Sequence, residues 1–470
     1  MASRQDQLHS HQFMIQRVVA ALVMRETDPA QSPFRRAAGA TLASVLVAAI
    51  GLGGVAVYGV LVGSGKFDPA KTDAVVVEKE SGARYVNRDG RLHPVVNYAS
   101  ALLIVRSGQP RTVLAARRSL EGMPRGAPLG IVDAPDSLPA RDRLLGVPWS
   151  LCTTAGGDGK QAGPRSVLLV GRAPTGGRPL GEDAVLARHP DGSVHVIWRN
   201  QRHPVRQTDR VIKALGWGSR QPVRVSAALL NGLQVADRFD LIDIPGRGQP
   251  SEKVRSARIG QVFVVRTQGG EKQFAVALRN GLAPVSQVQV DILLADERTR
   301  DLVRQTEPTE LKQSQFAGSP AEPPLGAAAG FPPLRSVPTL VDAVDGALCG
   351  LVPTDAGVAE VRIGATVPDP GVAATTGSRS DRGTVLVDLV VVPPGSGTVV
   401  EAAPAPGAGG GAVSVVTDLG RRFAVSDPEV LGVLGYGGVR PVRMPSALVS
   451  LIPAGPALDP AAALAPAGRS

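Results

Sequence analysis

The sequence predicts an α+β protein with one membrane span near its N-terminus and about four small repeats beyond the span. Three features lead to this fold class. An uncharged apolar run extends from Ala37 to Gly65, a motif at Leu215 recurs 219 residues later at Leu434, and two widely separated cysteines occur. A long apolar run is typical of a membrane helix, and self-similarity at a fixed spacing is typical of a repeat architecture.

The first element is predicted to be an amphipathic helix from about Gln5 to Glu26. Thr27-Asp28-Pro29 would end it, because proline cannot continue a helix. Such a helix either lies on the inner membrane surface or docks against a cytoplasmic partner, and the sequence leaves both interpretations open. The candidate partner-docking residues form one apolar stripe with spacings of three and four residues: Ile15, Val18, Val19, Leu22 and Val23.

The second element is predicted to be a transmembrane helix over residues 37–65. It contains no charged residue, and about 20 apolar residues suffice to cross the roughly 30 Å hydrocarbon core. The positive-inside rule predicts a cytoplasmic N-terminus and an extracytoplasmic C-terminal domain. A cleaved signal peptide is disfavoured because the head is too long and the apolar run exceeds the usual h-region. The arginines that set the orientation are Arg4, Arg17, Arg25, Arg35 and Arg36.

The composition limits what the outer domain can be. Aromatic residues make up only 3% of the chain and hydrophobic residues 43%, so the core must consist mainly of Val, Leu, Ile and Ala. The 55 glycines and 40 prolines indicate many turns and loops. The net charge of +10 is spread along the chain without a basic block interleaved with aromatics, so nucleic acid is not an expected partner.

The two cysteines, Cys152 and Cys349, both lie on the predicted outer side. An oxidising compartment favours their pairing, and closing so long a loop would contribute ~5 kcal/mol in the chain-entropy model. Two separate buried thiols are the alternative. No Cys/His spacing typical of zinc sites is present, so no metal is expected.

The repeat motif predicts a strand, a turn, a short capped helix, a glycine stop and a Pro-Val segment. In both strong copies a Leu-Gly-aromatic-Gly sequence precedes Pro-Val-Arg, and Thr208-Asp209 and Asp427-Pro428 are the predicted helix N-caps. Two weaker copies centre on Pro94-Val95 and Pro284-Val285. We therefore expect four small α+β units around a middle portion that carries the cysteines.

The predicted organisation divides the chain into nine segments. In chain order these are a cytoplasmic amphipathic helix at 1–36, the transmembrane helix at 37–65, a first repeat at 66–125, a first core segment at 126–184, a second repeat at 185–258, a third repeat at 259–300, a second core segment with Pro/Gly-rich loops at 301–412, a fourth repeat at 413–458 and a flexible tail at 459–470.

Sequence motifs for catalysis are absent. Two glycine-rich pieces fail as P-loops because Phe67 and Gln161 stand where a Ser/Thr would hold magnesium. Ser150 lacks a GxSxG elbow. The six histidines form no HExxH motif and are predicted to be solvated loop residues. We therefore predict no catalytic, cofactor-binding or metal-ligating residue and no cofactor, and a structural role is favoured over an enzyme.

The N-terminal segment resembles the start of the EccB family, the membrane-anchored subunit of actinobacterial type VII (ESX) secretion systems. The resemblance covers nearly the whole chain. It rests on these residues: Arg4-Gln5-Asp6-Gln7-Leu8-His9-Ser10, Gln16-Arg17-Val18-Val19, Ala21-Leu22-Val23-Met24-Arg25, Asp28-Pro29, Gly130-Ile131, Ala134-Pro135-Asp136, Trp149-Ser150 with Cys152, and Leu348-Cys349.

The resemblance implies a fold and a function. The fold is a short cytosolic helix, one span and an elongated outer domain of repeats around a core stapled by a Cys152–Cys349 disulfide. The function is that of a structural subunit of an ESX secretion complex in the inner membrane, whose outer repeats mediate oligomerisation and assembly. The alternative is the ATPase activity by which some members are described, or another exported hydrolase. The implied partners are EccC, EccD and EccE-like subunits, a second copy of the chain, and a mycosin protease.

Overall fold

The computed structural model describes residues 4–24, 33–62, 73–108, 111–155, 163–266, 269–325, 336–342, 344–368, 374–377, 379–380 and 383–468. The chain forms two compact units. One contains Met1–Lys71, Val76–Ala83 and Thr112–Met123; the other contains Thr72–Val75, Arg84–Arg111 and Pro124–Ser470.

The described residues contain eleven α-helices and 25 short strands. The helices are α1 Arg4–Met24, α2 Pro33–Val62, α3 Tyr98–Val105, α4 Arg117–Leu120, α5 Thr208–Ala214, α6 Ala227–Gly232, α7 Gln287–Ala295, α8 Gln313–Ala317, α9 Glu429–Val433, α10 Ser446–Val449 and α11 Pro460–Ala463. The strands are β1 Ala74–Glu78, β2 Arg84–Arg88, β3 Arg91–Pro94, β4 Arg111–Ala115, β5 Trp149–Thr154, β6 Arg165–Leu169, β7 Thr175–Pro179, β8 Asp183–Arg188, β9 Val194–Trp198, β10 Gln201–Val205, β11 Val223–Arg224, β12 Gln234–Val235, β13 Val262–Arg266, β14 Lys272–Ala277, β15 Leu282–Val285, β16 Thr309–Glu310, β17 Thr339–Leu340, β18 Ala347–Val352, β19 Glu360–Thr366, β20 Ala374–Thr375, β21 Leu389–Val391, β22 Thr398–Ala403, β23 Ala412–Val416, β24 Arg422–Ala424 and β25 Val442–Pro445.

The two long N-terminal helices agree with the sequence patterns. Helix α1 spans most of the predicted amphipathic segment, whose expected stop at Thr27-Asp28-Pro29 lies outside the described residues. Helix α2 contains Ala38–Val55, which is long and apolar enough to cross a membrane; no other helix among the described residues meets both criteria. The predicted single apolar helix near the N-terminus is therefore confirmed.

The core of the outer domain is a seven-stranded sheet in the order β20-β21-β6-β5-β18-β19-β7. Neighbouring strands are antiparallel except β21 and β6, which are parallel. Alternate side chains of a strand point to opposite faces, and both faces of this sheet are buried. Leu151 and Leu168 belong to a large apolar cluster, whereas their neighbours Cys152 and Val167 belong to a second, smaller one.

Four copies of one βββαβ unit accompany this sheet. In the second, third and fourth copies the strand order is third, second, first, fourth. The first three strands are antiparallel and the fourth is parallel to the first, after a crossover helix (α5, α7 or α9). The first copy, β1 to β4 with α3, has the same order of elements along the chain. The predicted α+β fold with about four repeats is confirmed.

The structure corrects the alignment of the weaker repeat copies. Pro94 and Pro284 lie in the third strand of their repeats, directly before the crossover helix, whereas Pro222-Val223 leads into a fourth strand. In the second repeat, the residues equivalent to Pro94-Val95 and Pro284-Val285 are Pro204-Val205, at the end of the third strand. The error arose because a short strand followed by a short apolar helix occurs twice in each repeat, so the local pattern matches in either register.

The helix caps also differ from the prediction in one copy. Helix α5 begins at Thr208 itself, and its N-cap is Gln207 in the left-handed conformation (φ 44°). Asp427 does act at the start of α9, since its Oδ1 accepts a hydrogen bond of 2.8 Å from the Glu429 N–H. Gly216 and Gly435 follow α5 and α9 with φ of 72° and 90°, as expected of a glycine stop.

Three strands lie beyond the predicted repeat boundaries. Although all three fall within residues 301–412, β16 belongs to the third sheet, β17 to the second and β22 to the fourth. Only long-range pairing distinguishes these strands from core strands, because their local sequences are equally apolar or equally short.

The segment predicted to be a flexible tail is instead folded as far as residue 468. Leu458 and Ala463 are fully buried, and Asp459 caps α11 by accepting a hydrogen bond from the Ala461 N–H. Helix α11 packs against α3 of the first repeat, and the Ala467 N–H donates to the carbonyl of Pro128. Burial of these apolar side chains, together with an Asp-Pro helix start, orders the segment.

Candidate functional site

The predicted docking stripe lies on an exposed face of α1. Ile15, Val18 and Leu22 are all exposed, and Leu22 is 77% exposed. Val19 is half-buried, and the side chain of Val23 lies outside the described residues. Residues three, four and seven apart share one helix face, so these apolar groups form a continuous surface.

Two further apolar residues extend this surface and were missed by the sequence analysis. Leu8 and Met14 are both exposed, and each is spaced from Ile15 or Val18 so that it adjoins the stripe. Phe13 is also exposed but lies on the opposite face, where the Arg17 guanidinium carbon is 5.7 Å from its ring centroid. An exposed apolar face on a long helix is typical of a surface that another molecule or a membrane covers.

The two cysteines form a disulfide in the core sheet. Cys152 on β5 and Cys349 on β18 lie directly opposite each other, with Cα atoms 4.0 Å apart. Both are fully buried, and the bond joins positions 197 residues apart. The predicted disulfide-stapled core is therefore present, and the bond connects the two halves of a sheet whose strands are otherwise distant in sequence.

The repeats pack on this sheet and on one another. Leu229 of α6 and Met444 of β25 share the large apolar cluster with Leu151 of the core sheet. Helix α5 packs against α7, and α3 packs against α9 and α11. The second repeat therefore contacts the third, and the helix of the first repeat contacts that of the fourth.

The second repeat also holds two histidines that the sequence analysis placed in solvated loops. His195 on β9 is 9% exposed and His203 on β10 is 3% exposed. His203 lies between Trp198 and Phe239, each with its ring centroid 5.7 Å away. The prediction of solvated histidines is therefore wrong for this pair. The missed signal was a histidine within a run of Val, Ile and Trp, a pattern typical of a buried strand.

A serine and two histidines meet at the β8–β9 turn, but they do not form a catalytic triad. The Ser193 hydroxyl donates to Asp191 Oδ1 over 2.6 Å and lies 3.1 Å from His195 Nε2. In a triad the carboxylate would hold the other ring nitrogen, yet His195 Nδ1 is buried without a hydrogen-bond partner in the described structure. The hydrogen bonds from Ser193 and His189 hold the pKa of Asp191 far below its usual value. Asp191 thus stabilises the turn and does not orient a catalytic histidine.

The third repeat contains a buried ionic cluster. The side chains of Arg247 and Asp296 are 4% and 2% exposed, and Arg247 Nη1 lies 3.1 Å from Asp296 Oδ2. Arg247 also donates to Thr299 Oγ1 and to the carbonyl of Ile242, and Arg298 donates to Asp296 over 2.9 Å. Burial alone would raise the pKa of Asp296, but the hydrogen bonds from Arg298 and the charge of Arg247 hold it below its usual value.

The remaining sequence candidates for chemistry have no catalytic setting. Ser150 is buried, and its hydroxyl donates to the carbonyl of Arg172 over 2.9 Å. The glycine-rich pieces that were tested as P-loops lie largely outside the described residues. Within the described ranges, no group of three His, Cys, Asp or Glu side chains could hold a metal ion.

A helix long and apolar enough to cross a membrane, four related repeats and a disulfide-stapled sheet together define an α+β repeat protein with an apolar N-terminal helix. The family model described as "Type VII secretion system ESX-1, transport TM domain B" matches residues 1–468. The chain therefore belongs to the EccB family of type VII secretion systems.

Named relatives agree with this membership. The chain is 32% identical over 297 residues to "ESX-2 secretion system ATPase EccB2" of Mycobacterium tuberculosis, a match that spans 62% of this chain and 59% of that protein. It is 27% identical over 483 residues to "ESX-3 secretion system ATPase EccB3" of Mycolicibacterium smegmatis, spanning 96% of this chain and 88% of the relative.

Solved structures show the same fold. A chain of the intact ESX-5 inner membrane complex superposes with a TM-score of 0.68 at 25% identity, covering 100% of this chain and 96% of that one. The EccB3 dimer from the ESX-3 core complex gives a TM-score of 0.64 at 27% identity, covering 83% of this chain and all of that one.

Proposed function

We propose that this protein is a structural membrane subunit of an ESX type VII secretion complex. Its outer repeats mediate self-association and assembly, and α2 crosses the inner membrane once. The observation that carries this proposal is the match along the whole chain to a subunit of an intact ESX-5 inner membrane complex. The exposed apolar face of α1 supports it, because such a face requires a covering surface.

The proposed topology has the N-terminus in the cytoplasm and the repeats outside the membrane. The arginines before the apolar run support this orientation under the positive-inside rule. A disulfide in the outer domain also fits an oxidising compartment.

The proposed partners are EccC, EccD and EccE-like subunits at the membrane, a second copy of this chain outside it, and a mycosin protease. A glycine group in α2 supports close helix contact there. Gly51 and Gly54 are three residues apart and share one helix face, and nothing in this chain lies within 4 Å of a side chain added at either position, so this face is free for the close approach of another helix.

The docking function of α1 can be tested by placing charge on its stripe. We expect Val18→Asp with Leu22→Asp to reduce recovery of the membrane complex roughly tenfold or more, because docking would bury two unpaired carboxylates. The measurement is native purification of the complex from cells that carry the variant, with secretion assayed in parallel.

The matched control is His9→Asp with Phe13→Asp, which adds the same charge to the other face of α1 and should leave recovery near the wild-type level. Normal recovery of complexes that contain the Val18/Leu22 variant would refute docking through the stripe. It would leave the membrane surface as the partner of this helix.

The alternative function is ATP hydrolysis, or another exported hydrolase activity, and it is favoured by the word ATPase in the names of the relatives. Against it stands the lack of a P-loop lysine followed by Ser/Thr in the sequence. We expect the purified full chain to show no saturable ATP hydrolysis in a phosphate-release assay. Lys66→Ala and Lys160→Ala serve as controls, because a contaminating ATPase gives equal rates in all three preparations. Saturable hydrolysis that one substitution abolishes would establish the enzyme.

A further inference from the structure

His195 and His203 occupy opposite faces of one hairpin in the second repeat. Strands β9 and β10 pair so that Pro204 opposes His195 and His203 opposes Val196. His195 therefore lies on the face of Ile197, which packs in the large cluster shared with the core sheet. His203 lies on the face of Val196, which packs in a separate cluster that the second repeat shares with α7 of the third. One hairpin thus places a buried histidine in each of the two apolar layers that hold the repeat.

The hydrogen bonds fix both histidines as neutral rings with one bare nitrogen. His203 Nδ1 is 2.7 Å from the carbonyl of Asp237, which can only accept, so this nitrogen carries the proton. The Ser193 hydroxyl donates to Asp191 and can therefore accept from His195 Nε2. The other nitrogens, His203 Nε2 and His195 Nδ1, are buried without a partner among the described residues. A second proton on His195 Nδ1 would have no acceptor among the described residues, and one on His203 Nε2 would face only the backbone of Trp198, with which it forms no regular hydrogen bond in this structure.

Burial and the charged groups around His195 together lower the pKa of its ring. Burial lowers the pKa of His195 most, the charges of Arg202, His189 and Arg206 lower it further, and Asp191 opposes them.

Burial is also the largest effect on His203. It lowers the pKa of this ring and outweighs the backbone hydrogen bond and charge of Asp237 and the backbone of Trp198, while Arg199 adds to the lowering. Since a histidine in an unfolded chain titrates near 6.5, the open hairpin binds protons more readily than the closed one. The stability of the hairpin is therefore complete above about pH 6.5 and falls as the pH decreases below that value.

We propose that the second repeat is an acid-responsive element, in which protonation of His195 and His203 loosens the β9–β10 hairpin from the core sheet. The turn of this hairpin supplies the connection that would be released. Asn200 Nδ2 donates to the carbonyl of Ala359 over 2.7 Å, and its Oδ1 accepts from the Val361 N–H over 2.8 Å. Opening the hairpin would remove these hydrogen bonds to Ala359 and to Val361 at the start of β19, and would disturb the packing of α5 on α7.

Hydrogen exchange of the oxidised full chain in detergent tests this proposal. After correction for intrinsic rates, we expect the protection of Val194–Trp198 and Gln201–Val205 to fall roughly tenfold or more between pH 7.5 and 5.5. The corresponding strands of the third repeat, Lys272–Ala277 and Leu282–Val285, contain no histidine and should change by less than about threefold. If the second repeat of the wild-type protein is equally protected at both pH values, the proposal is refuted.

Substitutions assign the effect to these rings. His195→Gln with His203→Gln should remove the pH dependence, whereas His93→Gln in the first repeat should retain it. Tryptophan fluorescence should also change between pH 7.5 and 5.5 in the wild type but not in the double variant, because a protonated His203 ring beside the Trp198 indole quenches it. A pH dependence of protection that persists in the double variant would refute the assignment.

Discussion

Replacing Asp296 with Ala should destabilise the third repeat by ~3–5 kcal/mol. The substitution removes the counter-charge of Arg247, whose guanidinium is 4% exposed and would stay buried with only the neutral acceptors Thr299 Oγ1 and the Ile242 carbonyl. Removing one member of a buried ion pair costs far more stability than removing a member of an exposed pair, because the remaining charge is neither hydrated nor paired. The measurement is hydrogen exchange of Val262–Arg266, since a single transition of a multi-repeat chain does not report one repeat.

The control for this prediction is Asp243→Ala. Asp243 accepts a hydrogen bond of 2.9 Å from Arg298, but its side chain is mostly exposed, so the loss should stay below about 1 kcal/mol. Similar losses of stability in the two variants would show that the buried Arg247–Asp296 pair stabilises the third repeat no more than the exposed Arg298–Asp243 pair does. Because the pKa of Asp296 is lowered in the folded state, its contribution is complete above about pH 4 and disappears as the pH falls further.

Local sequence signals were sufficient for the N-terminal helices and for the existence of repeats. An uncharged run and a three-to-four-residue apolar spacing depend only on neighbours in the chain, and α1 and α2 follow them closely. The assignment of strands to sheets depends instead on distant partners. Strand β22 lies near core strands in sequence but pairs with β23 and β25, and its Val399 and Val400 look like those of any buried strand.

The polar clusters of the candidate site could be predicted only in part. Arg247 and Asp296 meet across 49 residues, and the polar stretch around Asp296 gives no local indication that its carboxylate is buried. By contrast, His195 follows Val194 and precedes Val196 in a β-branched run, so its burial was available from the sequence. The apolar stripe of α1 was predicted from its helical spacing, but Leu8 and Met14, which extend it towards the N-terminus, were missed.

The disulfide gives the second large expected effect. Cys152→Ala with Cys349→Ala should lower the free energy of unfolding by ~2–5 kcal/mol, since the bond closes a loop between positions 197 residues apart in the sequence. Alanine is preferred to serine because a buried hydroxyl without a partner would add a cost of its own, ~1–3 kcal/mol. The measurement is urea denaturation of the full chain in detergent, followed by tryptophan fluorescence, to which Trp149 on the same strand as Cys152 contributes.

A reducing agent separates loss of the bond from loss of the sulfur atoms. The wild type should fall to the stability of the double alanine variant when reduced, and the variant itself should not respond. Unchanged stability of the reduced wild type would contradict a stabilising bond, as would an equal response of both proteins to reduction. Because Cys152 and Cys349 hold β5 against β18 at the centre of the seven-stranded sheet, the loss should extend to the repeats that pack on that sheet.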